Sequence, residues 1–230
     1  MATKPLRRRP AFLFDLDGTL IDTVYEHLMA WSEAIEDAGI RVSKWRIHRR
    51  IGMSDGLILR ALERESGTKL TEKQKQRMSK VHGERFRERW SQVRPIPGAR
   101  ELLDRLTEMR VPWCIATSAY AENVGRSLEI VGLKKNIPVV TRDEVKHAKP
   151  DPDVFLAAAA KIGSDIEDCF VVGDSPWDLY AAQRARALSI GVLTGGFGVE
   201  DLTRAGAYRV FEDTADLLEH LDEVAVRPGG

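Results

Sequence analysis

Cysteine is scarce: Cys114 and Cys169 are the only two in 230 residues. Both fall in or beside short apolar runs, where a free thiol behaves as a small hydrophobe, so a disulfide framework is excluded and a reducing cytoplasm is expected. Charge of one sign is not in excess either. Thirty-five Lys and Arg balance 35 Asp and Glu, which leaves no global field to recruit nucleic acid or an anionic membrane and points to a small-molecule partner. Long hydrophobic runs are missing as well. The apolar stretch after MATKPLRRRP is broken by Asp15, Asp17 and Asp22, so it makes neither a signal peptide nor a membrane span. There is no internal repeat and no low-complexity tract, and residues 1–10 read as a disordered tail.

What is present is alternation. WCIATS (113–118), PVVT (138–141), CFVVGD (169–174), LSIGVL (188–193) and YRVF (208–211) are short apolar runs. Segments of helical spacing lie between them: Leu102, Leu103, Leu106 and Met109; Val124, Leu128 and Val131; Phe155, Ala158, Ala159 and Ile162; Leu179 and Ala182. Continuously apolar strands taking turns with helices predict an α/β fold, a parallel sheet covered on both faces, with ligands bound beyond the carboxyl ends of its strands. From Asp22 to Arg94 the alternation stops for about seventy residues of helical pattern, far longer than an ordinary connection. There Leu28, Trp31, Ile35 and Ala38 form one stripe ended by Gly39, and Thr71 with Gln74 makes a capping box for a helix expected to reach Trp90. The expected organisation is a core of residues 11–21 and 95–226 with a helical insert at 22–94.

Polar groups gather at the predicted strand ends. In FLFDLDGTLIDT the first strand finishes on Asp15 and Asp17. Positions two apart on a strand project the same way, so two negative charges are crowded together unless one keeps its proton or a cation sits between them. An Asp-Gly hairpin turn is the alternative. Thr117 and Ser118 close the second run and precede a helix, either to hold phosphate oxygens or only to cap it. In GDSPWD, Ser175 is a natural N-cap before Pro176, which lets Asp178 face back towards Asp174. Several carboxylates in one place suit a hard cation, Mg²⁺ first among them. Lys149 stands before Pro150, and Asp151 with Pro152 is expected to open the next helix. A lysine there neutralises a phosphoryl group unless it is merely solvated surface.

Taken in order, DLDGT (15–19), Thr117, Lys149 before Pro150, and GDSPWD (173–178) resemble the motifs of the haloacid dehalogenase-like superfamily across nearly the whole chain. The helical insert directly after the first motif is similar to the phosphoglycolate phosphatase and beta-phosphoglucomutase group. The resemblance implies a Rossmann-like core with a helical cap and a Mg²⁺-dependent phosphatase acting on a small phosphorylated metabolite. By the same resemblance Asp15 would be the nucleophile that forms an aspartyl phosphate, and Asp17 the acid and base. Mg²⁺ would be held by Asp15, Asp17 (through its backbone carbonyl), Asp174 and Asp178, and phosphate by Thr117, Ser118 and Lys149. True dehalogenases of the superfamily lack an acid at the second position, which argues against that activity. DTVYEHLMAW places His27 and Trp31 where mutases and related phosphatases carry the same residues, making His27 a candidate contact to Asp17 or to substrate. Asp55 stands where a mutase would place an arginine, and His82 near its lysine, so hydrolysis is expected over a phosphosugar mutase. A low-turnover metal- and phosphate-binding module is the remaining alternative.

Overall fold

The structure is a computed structural model and describes residues 10–133 and 136–224. The tail expected at residues 1–10 therefore lies, but for Pro10, outside the described residues. In chain order the elements are β1 (Ala11–Phe14), β2 (Ile21–Asp22), α1 (Val24–Asp37), α2 (Lys44–His48), α3 (Asp55–Ser66), α4 (Glu72–Glu88), β3 (Arg94–Pro95), α5 (Ala99–Glu108) and β4 (Trp113–Ala116). They continue with α6 (Ala121–Val131), β5 (Val139–Val140), α7 (Asp153–Lys161), β6 (Cys169–Gly173), α8 (Pro176–Ala185), β7 (Leu188–Val192), α9 (Val199–Arg204), β8 (Arg209–Phe211) and α10 (Thr214–Glu219).

Six strands form one parallel sheet in the order β5-β4-β1-β6-β7-β8. β1 is central, with Phe12 opposite Trp113 on one side and Phe170 on the other. Its period-two alternation divides the core. Phe12 and Phe14 face Leu102, Leu103 and Leu106 of α5 and Leu128 of α6, whereas Ala11 and Leu13 face Phe155 and Ala158 of α7 and Ala181 of α8. Every residue of β1 is fully buried, which is why the strand reads as an unbroken apolar run rather than an alternating one. Because the chain runs from β1 to β4 and β5 on one side and then crosses back to β6 on the other, a crevice opens at the carboxyl ends of these strands.

Helices α1 to α4 make a separate apolar cluster of Leu28, Trp31, Ile35, Ile47, Ile58, Leu62 and Met78. The stripe on α1 ends at Gly39 with φ +75°, and the Thr71–Gln74 capping box starts α4. α4 stops at Glu88, two residues before Trp90. A short antiparallel pair closes the base of this helical group: β2 meets β3, Ile21 opposite Pro95 and Asp22 opposite Arg94. Two-residue strands carry no periodicity, so nothing in the sequence announced that pairing.

Two helix starts differ from expectation in instructive ways. α8 begins as the sequence indicates, with Ser175 as N-cap, Pro176 in the first turn and the Ser175–Asp178 capping box. α7 begins at Asp153, not after an Asp151 cap. The Asp151 amide donates to Ala148 O at 3.0 Å, which commits that residue to the preceding turn. Asp153 instead accepts from the His147 amide at 3.0 Å and anchors the loop that carries Lys149.

Candidate active site

Three chain segments meet at the carboxyl end of the sheet. Asp15 follows β1 and still pairs as strand, its amide donating to Val172 O at 2.9 Å. Asp174 follows β6, and the capping box of α8 turns Asp178 inward: the Ser175 hydroxyl and amide donate to Asp178 Oδ2 at 2.6 and 3.2 Å. Lys149 arrives from the loop before α7. Its Nζ is 2.5 Å from Asp15 Oδ1 and 2.8 Å from Asp178 Oδ1. Asp15, Asp174 and Asp178 each offer an oxygen within 4.8 Å of the other two. All four side chains are buried.

Backbone without side chains makes room for this cluster. A Cβ on Gly195 would come within 2.1 Å of Asp174 Oδ2, and one on Gly18, at φ +83°, within 2.4 Å of the same atom. Neither position tolerates a side chain without moving Asp174. Thr19 donates to Asp174 Oδ1 at 3.1 Å, and the Thr194 hydroxyl donates to Gly18 O, tying the β7 end of the sheet to the first loop.

The charge balance of the cluster is uneven, with three buried carboxylates around one ammonium. Burial, reinforced by Asp178 and Asp17 and opposed by Lys149, lifts the Asp15 carboxyl to about 7. Burial and the charges of Asp178 and Asp15 hold Asp174 well above the ordinary carboxylate range. Burial works against the Lys149 ammonium, but Asp15 and Asp178 outweigh it and keep the lysine charged. Surplus negative charge on hard oxygen donors, in a pocket kept open by glycine, fits a divalent cation.

Asp17 is arranged differently. Its carboxylate turns away from the cluster and accepts from the Thr23 hydroxyl at 2.8 Å, with His27 Nε2 3.5 Å from the same Oδ1. Burial would raise its pKa, but His27, then Thr23 and Lys149, outweigh burial and hold it below the usual value. His27 continues into α4, its Nδ1 lying 3.0 Å from His82 Nε2. A cavity of about 380 Å³ opens between the helical group and the sheet, with Asp15 and Asp17 at its inner end and Asp55, Phe86, Trp90 and Ser118 among its walls.

The sequence profile of the haloacid dehalogenase-like hydrolase family matches residues 12–192. The chain belongs to that family. It is 29% identical over 232 residues to the phosphoglycolate phosphatase of Agrobacterium fabrum, covering 100% of this chain and 98% of that one. To the beta-phosphoglucomutase of Bacillus subtilis it is 30% identical over 220 residues, 93% of this chain and 94% of the other. Among solved structures it resembles a hydrolase from Pseudomonas syringae at 47% identity and TM-score 0.92, over 95% of this chain and 100% of that one.

Within this haloacid dehalogenase-like hydrolase the expected site residues divide into three groups. Asp15, Asp174, Asp178 and Lys149 form one cluster. Asp17 shares the cavity with Asp15, but its Oδ1 faces Thr23 and His27 rather than the other acids. Thr117 is buried at the end of β4, where its Oγ1 accepts from the Ala119 amide at 3.0 Å. Ser118 donates to Gly52 O at 3.3 Å and so touches the helical group. Several functional neighbours were not anticipated: Thr19, Thr23, Gly195 and the His27–His82 contact. Gly195 lies in GGFG, which lacks the third glycine of a dinucleotide-binding loop; the structure uses its missing Cβ to seat Asp174. Among the described residues, no helix is long and apolar enough to cross a membrane.

Proposed function

We propose that this chain is a Mg²⁺-dependent phosphatase that hydrolyses a small phosphomonoester through a phosphoryl group carried on Asp15. The observation that supports it most is Lys149 Nζ at 2.5 Å from Asp15 and 2.8 Å from Asp178. A buried ammonium there offsets part of the cost of ionising the attacking carboxylate as a dianionic phosphate approaches. Asp15 attacks phosphorus, the bond from phosphorus to the leaving oxygen breaks, and Asp17, having taken up a proton from solvent, delivers it to that oxygen. Asp17, now a carboxylate, takes a proton from water as the water attacks the same phosphorus, which releases inorganic phosphate and restores Asp15. Lys149 grips the phosphoryl oxygens, with the Thr117 hydroxyl beside it. Mg²⁺, held by Asp15, Asp174, Asp178 and the Asp17 backbone carbonyl, supplies the charge neutralisation that lets an anion enter this acidic pocket. Helices α1 to α4 act as a cap over the site, and two buried free thiols suit work in the cytoplasm.

The similarity to a beta-phosphoglucomutase keeps a second outcome open for the phosphoryl group: transfer to a sugar hydroxyl rather than to water. A mutase must hold a bisphosphate at both ends. The cavity walls carry Asp55 and Glu122 beside the exposed Lys80 and Arg87, a mixed lining rather than a cationic socket, and this favours water as the acceptor.

Phosphate release from p-nitrophenyl phosphate and from a panel of phosphorylated sugars, polyols and phosphoglycolate tests the reading. Turnover with Mg²⁺ that stops in excess chelator is expected. Phosphate binding without turnover on any substrate would leave only a binding module. With beta-glucose 1-phosphate and a trace of the 1,6-bisphosphate, sustained glucose 6-phosphate formation faster than phosphate release would make it a mutase.

A further inference from the structure

His48 ends α2 and reaches from the helical group to the core, its Nε2 lying 2.9 Å from Gly195 O. A carbonyl oxygen only accepts, so the ring carries a hydrogen on Nε2 and donates it, and this holds for the neutral and the protonated imidazole alike. The ring is flanked by Tyr25 of α1, centroids 5.6 Å apart and 15° between planes, and by Phe197 of the core at 5.3 Å and 27°. Gly196, at φ +77°, completes the seat: a Cβ there would stand 2.6 Å from Tyr25 Oη and 2.9 Å from His48 Nε2. The phosphoryl chemistry makes no use of His48, yet the fold builds a fitted contact for it. The turn that receives it, Leu193–Gly195, also touches the acidic cluster. Gly195 is buried, and the Asp174 carboxylate fills the place its Cβ would take. The Thr194 hydroxyl donates to Gly18 O in the loop after β1. One side of this turn thus braces a candidate metal ligand, while the helical group holds the other.

We propose that His48 is a positioning residue for the metal site: by donating to Gly195 O it fixes the turn that braces Asp174, so that docking of the helical group and cation affinity are coupled. This rests on the reading of Asp15, Asp174 and Asp178 as Mg²⁺ ligands. Such coupling is reciprocal. A cation that orders Asp174 against Gly195 favours the docked helical group. A helical group lifted off the turn leaves Asp174 without its brace and weakens the cation, as loss of a contact behind a metal ligand does. A neighbouring cross-link, Arg49 Nη2 to Asp201 Oδ1 at 3.5 Å, joins two exposed side chains and ends on α9 rather than on the turn.

Calorimetric titration of the substrate-free protein with Mg²⁺ tests the proposal without recourse to turnover. His48→Phe keeps a ring between Tyr25 and Phe197 and removes the donor, and it should bind Mg²⁺ about tenfold more weakly than the wild type. His48→Gln, which keeps a donor, should lie between the two. Arg49→Ala should stay within about twofold of the wild type, because an exposed ion pair contributes little. The wild type alone supplies a further readout: Mg²⁺ should slow amide hydrogen exchange in α2, which contributes no ligand. Mg²⁺ binding by His48→Phe within about twofold of the wild type, binding by Arg49→Ala as weak as that of His48→Phe, or exchange in α2 unmoved by Mg²⁺ would each overturn the proposal. If His48→Phe fails to fold, the exchange measurement and the affinity of His48→Gln decide. Asp174→Ala run in parallel separates the underlying reading. Unchanged Mg²⁺ binding in that variant removes Asp174 as a ligand and this coupling with it, whereas binding lost there and kept in His48→Phe removes the coupling alone.

Discussion

Replacing Asp15 by asparagine should stabilise the metal-free protein, and by an amount that grows with pH. Asp15 is 4% exposed and shares its surroundings with Asp174 and Asp178 against one ammonium. Its carboxyl is lifted from 3.8 to about 7, so ionising it in the folded, metal-free state costs about 4 kcal/mol, at about 1.4 kcal/mol for each tenfold. The sign follows from linkage. A carboxyl whose folded pKa lies above its unfolded value opposes folding by nothing below pH 3.8 and by the full amount above pH 7. The amide does not ionise, so its advantage over the wild type should widen by about 2 to 3 kcal/mol between pH 5 and pH 8. Urea unfolding in excess chelator, followed by far-ultraviolet circular dichroism at both pH values, measures the gap. Mg²⁺ should reverse the order, stabilising the wild type more than the variant, because the variant lacks one ligand. A gap that stays constant or narrows as pH rises would refute the argument, and would mean that Lys149 alone keeps Asp15 ionised at an ordinary pKa.

Asp17→Asn should lower turnover about a hundredfold or more, most severely for poor leaving groups; equal losses for aryl and alkyl phosphates would count against the acid role. Gly195→Ala places a Cβ where Asp174 Oδ2 now lies, 2.1 Å away, so apparent Mg²⁺ affinity should drop by about tenfold or more, read from the Mg²⁺ dependence of turnover; unchanged affinity would show that Asp174 is free to relocate. Ca²⁺ should inhibit in competition with Mg²⁺, since its looser, higher coordination does not hold an in-line geometry; equal support of turnover by both ions would contradict this.

The parallel sheet was legible because its strands are buried on both faces and therefore uninterrupted by polar residues, as in Phe12 to Phe14 or Phe170 to Val172. The cluster was legible for a related reason: a carboxylate that ends an apolar strand, as Asp15 and Asp174 do, has no structural excuse. Asp178 could be placed because Ser175 and Pro176 set the helix phase. What escaped sequence reading was contact between distant segments. His27 and His82 are 55 positions apart, and each alone is an ordinary histidine on an amphipathic helix. Thr23 gave no signal, because a hydroxyl on a loop beside an acid is common. Gly195 carried no signal of its own, since what a glycine makes room for depends on what lies opposite it, here Asp174 Oδ2. The start of α7 was misjudged because Asp151 has the chemistry of a cap, while its amide is already spent in the turn to Ala148.

The central claim is that the phosphoryl group passes through Asp15 on its way to water, and the stereochemical course at phosphorus tests it most directly. A phosphomonoester made chiral at phosphorus with three oxygen isotopes, turned over with water as acceptor under conditions that preserve the label count, reports the number of in-line displacements. Two displacements, one by Asp15 and one by water, predict net retention of configuration. Net inversion would mean that water attacks the substrate directly and that Asp15 never carries the phosphoryl group.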